Sequence, residues 1–143
     1  MAISGEMFVA AQLQRLGVFA SVTYGTAKRA DVICVSRDGR RAVVLEVKTT
    51  DKNRWPIGSR VPEPSEQLWV FVHLSSTVVE PPRFFVWEQS EMHTALRPGE
   101  DDFVNRYRAR NGGEWDYSKG VASMPFAVAI AQENAWPKVL ERL

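Results

Sequence analysis

The 143-residue sequence holds one cysteine and two histidines. A single thiol cannot close an internal disulfide, so a stapled secreted scaffold and a Cys-rich zinc site are both excluded. His73 and His93 are too few for a histidine metal cage. Long apolar runs are also missing. The stretch 124–131 is far short of the roughly 20 residues that span a bilayer. The N-terminus, Met-Ala-Ile-Ser-Gly-Glu, has no basic segment followed by an apolar one. No secretory leader is therefore expected, and the expected location is cytoplasmic.

What remains is ordinary globular material. Hydrophobic residues make up 45% and charged residues 24%, which excludes a disordered or collagen-like chain. The length suits one domain, residues 1–143, with enough buried surface for a real core. No internal repeat or low-complexity tract is visible. The formal net charge of +1 hides an asymmetry. Residues 1–62 carry ten Lys/Arg against five Asp/Glu, and residues 63–143 carry eight against twelve. A basic half is compatible with a polyanionic partner, and equally with a solvated surface.

Ser4 suits an N-cap, and residues 5–16 read as a helix closed by Gly17. Val9, Leu13 and Leu16 form its apolar stripe, and Glu6 falls inside that stripe. Residues 19–24 suit a short strand. Residues 30–36 and 41–49 are strands joined by a turn containing Asp38-Gly39. Residues 50–65, with three prolines and Trp55, read as a long loop. Residues 69–74 read as a buried strand, and 83–87 as another after Pro81-Pro82. A short helix is expected at 90–96 and a helix at 123–134. Pro137 suits the first position of a last short helix. The polar stretch 97–120 gives no clear pattern.

The hairpin carries the chemistry. A turn centred on Asp38-Gly39 places Val35 opposite Ala42, Ile33 opposite Val44 and Asp31 opposite Glu46, with Lys48 beside Arg29. Directly opposed side chains have Cβ atoms about 5 Å apart, so two carboxylates and an ammonium meet at one end of the hairpin. A one-residue slip would separate them. The strands are apolar on both faces, which suits a covered sheet. Opposed like charges there must be offset by a shared proton, by Lys48 or by a divalent cation. Mg²⁺ favours hard oxygen ligands, takes one or two carboxylates, and keeps waters and phosphate oxygens.

The order Glu6, Asp31, Glu46-Val47-Lys48 resembles the PD-(D/E)XK nuclease superfamily, which includes restriction endonucleases and archaeal Holliday-junction resolvases. The similarity covers roughly residues 4–50. Ala30 stands where the motif's proline would be. The resemblance implies an α/β fold: a restriction-endonuclease-like mixed sheet flanked by an N-terminal helix and C-terminal helices. It implies a Mg²⁺-dependent endonuclease, Mn²⁺ substituting, that leaves a 5′-phosphate and a 3′-hydroxyl. Asp31, Glu46 and the Val47 carbonyl would bind the metal. Lys48 would orient the attacking water or stabilise developing charge, and Glu6 would match the helix carboxylate of resolvase-like members. The partner would be nucleic acid, with DNA expected, and relatives that cut two strands suggest a homodimer. No membrane partner is expected.

Lys28, Arg29, Lys52 and Arg54 flank this site and suit phosphate contacts, or simple solvation. Trp55 suits stacking on a base or anchoring of its loop. Cys34 points to the other face of the hairpin and suits a core thiol. His73 suits the core, and His93 is a poor candidate for a general base. Arg106, Arg108 and Arg110 read as exposed, and Trp115 and Trp136 as packing residues. Two further function classes stay open beside the nuclease: a catalytically inactive module that binds nucleic acid or protein, and a small structural subunit.

Overall fold

The computed structural model describes residues 2–24 and 30–143; Lys28 and Arg29 lie outside them. The chain begins with helix α1, Ala2–Arg15. It starts earlier than the sequence suggests, so Ser4 lies within the helix and caps nothing. Val9, Ala10 and Leu13 are its buried stripe. Three strands follow: β1 (Phe19–Val22), β2 (Val32–Val35) and β3 (Ala42–Thr50).

The β2–β3 turn forms for the reason its sequence gives. Gly39 takes a φ of 72°, a left-handed conformation that suits glycine. The Asp38 carboxylate accepts from the Ser36 hydroxyl at 2.7 Å and from the Arg40 N–H at 3.0 Å. This closes the loop in the expected register: Val35 lies opposite Ala42, Ile33 opposite Val44 and Val32 opposite Leu45.

Residues 50–65 are not simply a loop. They contain β4, Arg54–Gly58, which pairs antiparallel with β7, Ala122–Pro125, in a separate two-stranded sheet. Between these come β5 (Leu68–His73), β6 (Arg83–Glu88) and helix α2 (Gln89–Asn111). The helix spans 23 residues, running through Pro98 and Gly99 and well past Leu96, where the short helix expected from the sequence ends. A reciprocal cap starts it: Glu91 accepts the Glu88 N–H at 2.9 Å while the Glu88 side chain accepts from the Glu91 backbone. Stretch 123–134 is also corrected. It is strand β7, then a single helical turn, α3 (Phe126–Ala129), and a 3₁₀ turn at Ile130–Gln132. Helix α4, Pro137–Leu140, starts on its proline as expected.

The main sheet has the order β1-β2-β3-β5-β6. Only β3 and β5 run parallel; the other neighbours are antiparallel. This is a mixed sheet flanked by an N-terminal helix and C-terminal helices. One face is aliphatic: Val32, Cys34, Leu45, Val47, Val70 and Val72 pack against α1 and against Trp136 and Val139. The other face of β5 and β6 is aromatic, with Trp69, Phe71, Phe85 and Trp87 under Trp55, Met92 and Met124. No helix among the described residues is long and apolar enough to cross a membrane.

Candidate active site

Strand β3 alternates, and the alternation sorts its residues. Leu45 and Val47 belong to the aliphatic core, while Glu46 and Lys48 point to the opposite face. The Lys48 Nζ lies 3.1 Å from Glu46 Oε1, with the two side chains 36% and 10% exposed. The glutamate is thus held nearly dry, and its neighbouring ammonium offsets part of the cost of burying its charge. The ammonium also lies 5.8 Å from the centroid of the Trp69 ring. Trp69 is the residue beside Glu46 in the parallel β3–β5 register.

Asp31 reaches the backbone between Glu46 and Lys48 by leaving the sheet. The regular β2–β3 pairing stops at Val32, and Asp31 sits in a bend just beyond it. Its N–H still donates to the Leu45 carbonyl at 2.9 Å. Its carboxylate then does what a backbone carbonyl would do in the next rung. Oδ2 accepts the Val47 N–H at 2.8 Å, while the Ala30 carbonyl turns away to accept from the Thr23 hydroxyl. A residue's N–H and C=O lie on the same side of a strand. The Val47 carbonyl therefore also faces the β2 side, where Asp31 sits.

Glu6 comes from α1, and a glycine brings the helix in. A Cβ at Gly5 would lie 1.9 Å from the Thr49 hydroxyl oxygen, so only glycine permits this approach to β3. Glu6 is half-buried as a result. Burial, and secondarily the charge of Asp31, push its carboxyl above the ordinary value. Glu6 and Asp31 thus share one electrostatic neighbourhood.

The donor set suits a hard divalent cation. Asp31 offers carboxylate oxygens from the bend at the edge of β2 and Glu46 from β3, with the Val47 carbonyl on the Asp31 side. Among the described residues no three His, Cys, Asp or Glu side chains form a ready-made metal cage. Two carboxylates are nevertheless what Mg²⁺ commonly takes when water and phosphate complete its shell.

Other candidates fall elsewhere. Trp55 is corrected: it is fully buried, its indole N–H donates to the Val72 carbonyl at 2.9 Å, and it packs on Phe71, Phe85 and Phe126. It anchors β4 and presents no face to a base. Lys52 and Arg54 are exposed just beyond β3 and at the start of β4. Cys34 is buried, and burial pushes its thiol up to about 11. His73 is half-buried, with its ring edge-on to Phe126. The His93 Nδ1 lies 3.1 Å from the Pro62 carbonyl oxygen, a structural contact. Arg106, Arg108 and Arg110 are exposed on α2. Trp115 packs against Phe103 and Tyr107, and Trp136 against Phe84. Sequence reasoning missed Trp69 beside Lys48 and Gly5 behind Glu6. A glycine one residue before the helix carboxylate was the available signal for the latter. The former needs the β3–β5 register, which no local pattern gives.

No family model matches the sequence, and no curated relative matches it either. Among solved structures the chain is similar to Hjc, a Holliday junction resolvase from the archaeal hyperthermophile Archaeoglobus fulgidus. That similarity has 11% identity and a TM-score of 0.47, and covers 90% of this chain and 91% of that one.

Proposed function

We propose that the chain is a metal-dependent nuclease that hydrolyses phosphodiester bonds, with DNA as its substrate. The single observation that supports this reading is that the Asp31 carboxylate accepts the N–H of Val47, the residue between Glu46 and Lys48, while the Lys48 ammonium lies 3.1 Å from Glu46. Asp31, Glu46 and the Val47 carbonyl would hold Mg²⁺ or Mn²⁺. A divalent cation held there would polarise a phosphoryl oxygen and lower the pKa of its bound water. Lys48 orients the attacking water and stabilises negative charge developing on the phosphate. Glu6 adds a carboxyl next to Asp31 that can hold water by a hydrogen bond. Lys52 and Arg54 hold the flanking phosphates.

The test is cleavage of plasmid, single-stranded DNA, branched DNA and RNA, with Mg²⁺, with Mn²⁺ and with EDTA. Cleavage that needs metal and disappears in Asp31→Asn, Glu46→Gln and Lys48→Ala, while the variants stay folded, is the expected result. Wild-type activity in Lys48→Ala removes Lys48 from the mechanism. Failure to cut any of these substrates with either metal refutes the nuclease and leaves a binding module.

A further inference from the structure

A buried glutamine in an aromatic core needs a reason, because a side-chain amide is costly to desolvate unless its groups are bonded. Gln89, the first residue of α2, is 4% exposed among Trp69, Trp87 and Met92. Its Oε1 accepts the Trp69 indole N–H at 3.1 Å. Its Nε2 donates to the Glu63 carbonyl at 2.6 Å, and its backbone N–H donates to the Gln67 carbonyl at 2.9 Å. Gln89 therefore ties the indole of β5 to the segment between β4 and β5.

That indole is also the ring under Lys48. A lysine has four rotatable side-chain bonds, and a third of this one faces solvent. Catalysis needs its ammonium fixed to within a fraction of an ångström. Among the described residues, two contacts fix it: Glu46 Oε1 and the Trp69 ring. Trp69 in turn is stacked on Phe71, with centroids 6.0 Å apart, and pinned about its ring by Gln89. The order Gln89, Trp69, Lys48, Glu46 is continuous from the start of α2 to the centre of β3.

We propose that Gln89 is a positioning residue for the proposed hydrolysis, acting through the Trp69 indole to hold the Lys48 ammonium. This rests on the nuclease reading for its consequence in rate, but not for its geometry. Gln89 touches no substrate. Its amide sets the rotation of the indole, and the indole face sets where the ammonium rests. The same amide couples that rest position to residues 63–67.

The test uses the full chain in two readouts. The first is NMR of the lysine ammonium groups without metal or nucleic acid, comparing wild type, Gln89→Met and Trp69→Phe. Gln89→Met keeps the volume and removes the acceptor; Trp69→Phe keeps a ring and removes the donor. In both variants Lys48, left with Glu46 as its fixed contact, should become more mobile than in wild type, while Lys52 stays unchanged. The second is cleavage kinetics. In Gln89→Met kcat should fall roughly tenfold to a hundredfold, with KM for the nucleic acid changed less than about twofold. A merely structural role lowers the melting temperature and leaves Lys48 as ordered as in wild type, and that result overturns the proposal. Equal losses of order at Lys48 and Lys52 overturn it too. If the wild type cuts nothing yet Lys48 alone loosens in both variants, the positioning role stands and only the nuclease reading is lost.

Discussion

On the α1 side of β3, Leu45 and Val47 sit in a dry aliphatic layer. On the other side, Glu46 and Lys48 sit at the margin of an aromatic one. The same strand, within four residues, has solved the packing problem in two ways. The first buries methyl groups and stabilises the fold, on the order of 2 kcal/mol for each such side chain. The second buries a carboxylate, which stabilises nothing unless a partner charge offsets it. The difference separates what the fold needs from what a site needs. The aliphatic face could be rebuilt from any branched residues of equal volume. The charged side has Lys48 resting by an indole, with Asp31 bent out of the ladder at the Val47 backbone and Glu6 brought in over a glycine from the α1 side, and packing alone accounts for none of these.

Substitutions on the two faces should therefore fail in opposite ways. The largest contrast pairs Leu45→Ala with Glu46→Gln. Leu45→Ala should cost about 2–5 kcal/mol in urea unfolding while leaving residual activity in the folded fraction. Glu46→Gln removes a buried charge and should shift stability by less than Leu45→Ala does while abolishing cleavage. Similar stability losses for both would erase the distinction between the faces. Gly5→Ala comes next, because its methyl would meet the Thr49 hydroxyl. Overpacking there should cost about 1–3 kcal/mol by thermal melting, and a neutral result would show that α1 does not hold this approach.

A smaller effect tests the Glu6–Asp31 neighbourhood through pH. The folded chain holds the Glu6 carboxyl above its ordinary value of 4.5. That residue's contribution to stability is present below the ordinary value, where it is protonated, and is lost as pH rises through the folded value. In EDTA, Glu6→Gln should thus stabilise at pH 7 by up to about 0.5 kcal/mol and make no difference at pH 3. Destabilisation at pH 7 would contradict the placement of Glu6 beside Asp31. The smallest effect belongs to the dry side. With its thiol pushed up to about 11, Cys34 should react with a thiol reagent at pH 8 only as fast as the chain unfolds. Rapid labelling would mean that the aliphatic layer opens locally.

Much of this was legible, and the reason is locality. The β2–β3 register follows from a turn residue and alternation, both written within twenty residues, so Asp31 and Glu46 could be brought together on paper. The apolar run of β5 was legible as a strand, but its parallel pairing with β3 was not. Long crossovers leave register to packing, and with it the placement of Trp69 beside Glu46 and Lys48. Pro56 and Trp55 read as a loop because a proline weakens any strand pattern. Only the distant partner β7 makes that segment a strand, and the same pairing sinks Trp55 into the core. Helix α2 was read only as far as Leu96, and 97–120 gave no pattern, because its face is largely solvated and shows little apolar period. In the structure a capping box starts it, and a salt bridge from Arg97 to Asp101 spans the proline. Where the sequence reads correctly, the determining contacts lie nearby; where it reads wrongly, they come from the far end of the chain.

The central claim is that Asp31 and Glu46 grip one divalent ion beside Lys48. The most direct measurement is anomalous diffraction from a crystal soaked in Mn²⁺. The predicted result is a strong peak within bonding distance of both carboxylates, absent from a Glu46→Gln crystal treated in the same way. A peak elsewhere on the molecule, or none between these two side chains, would contradict it.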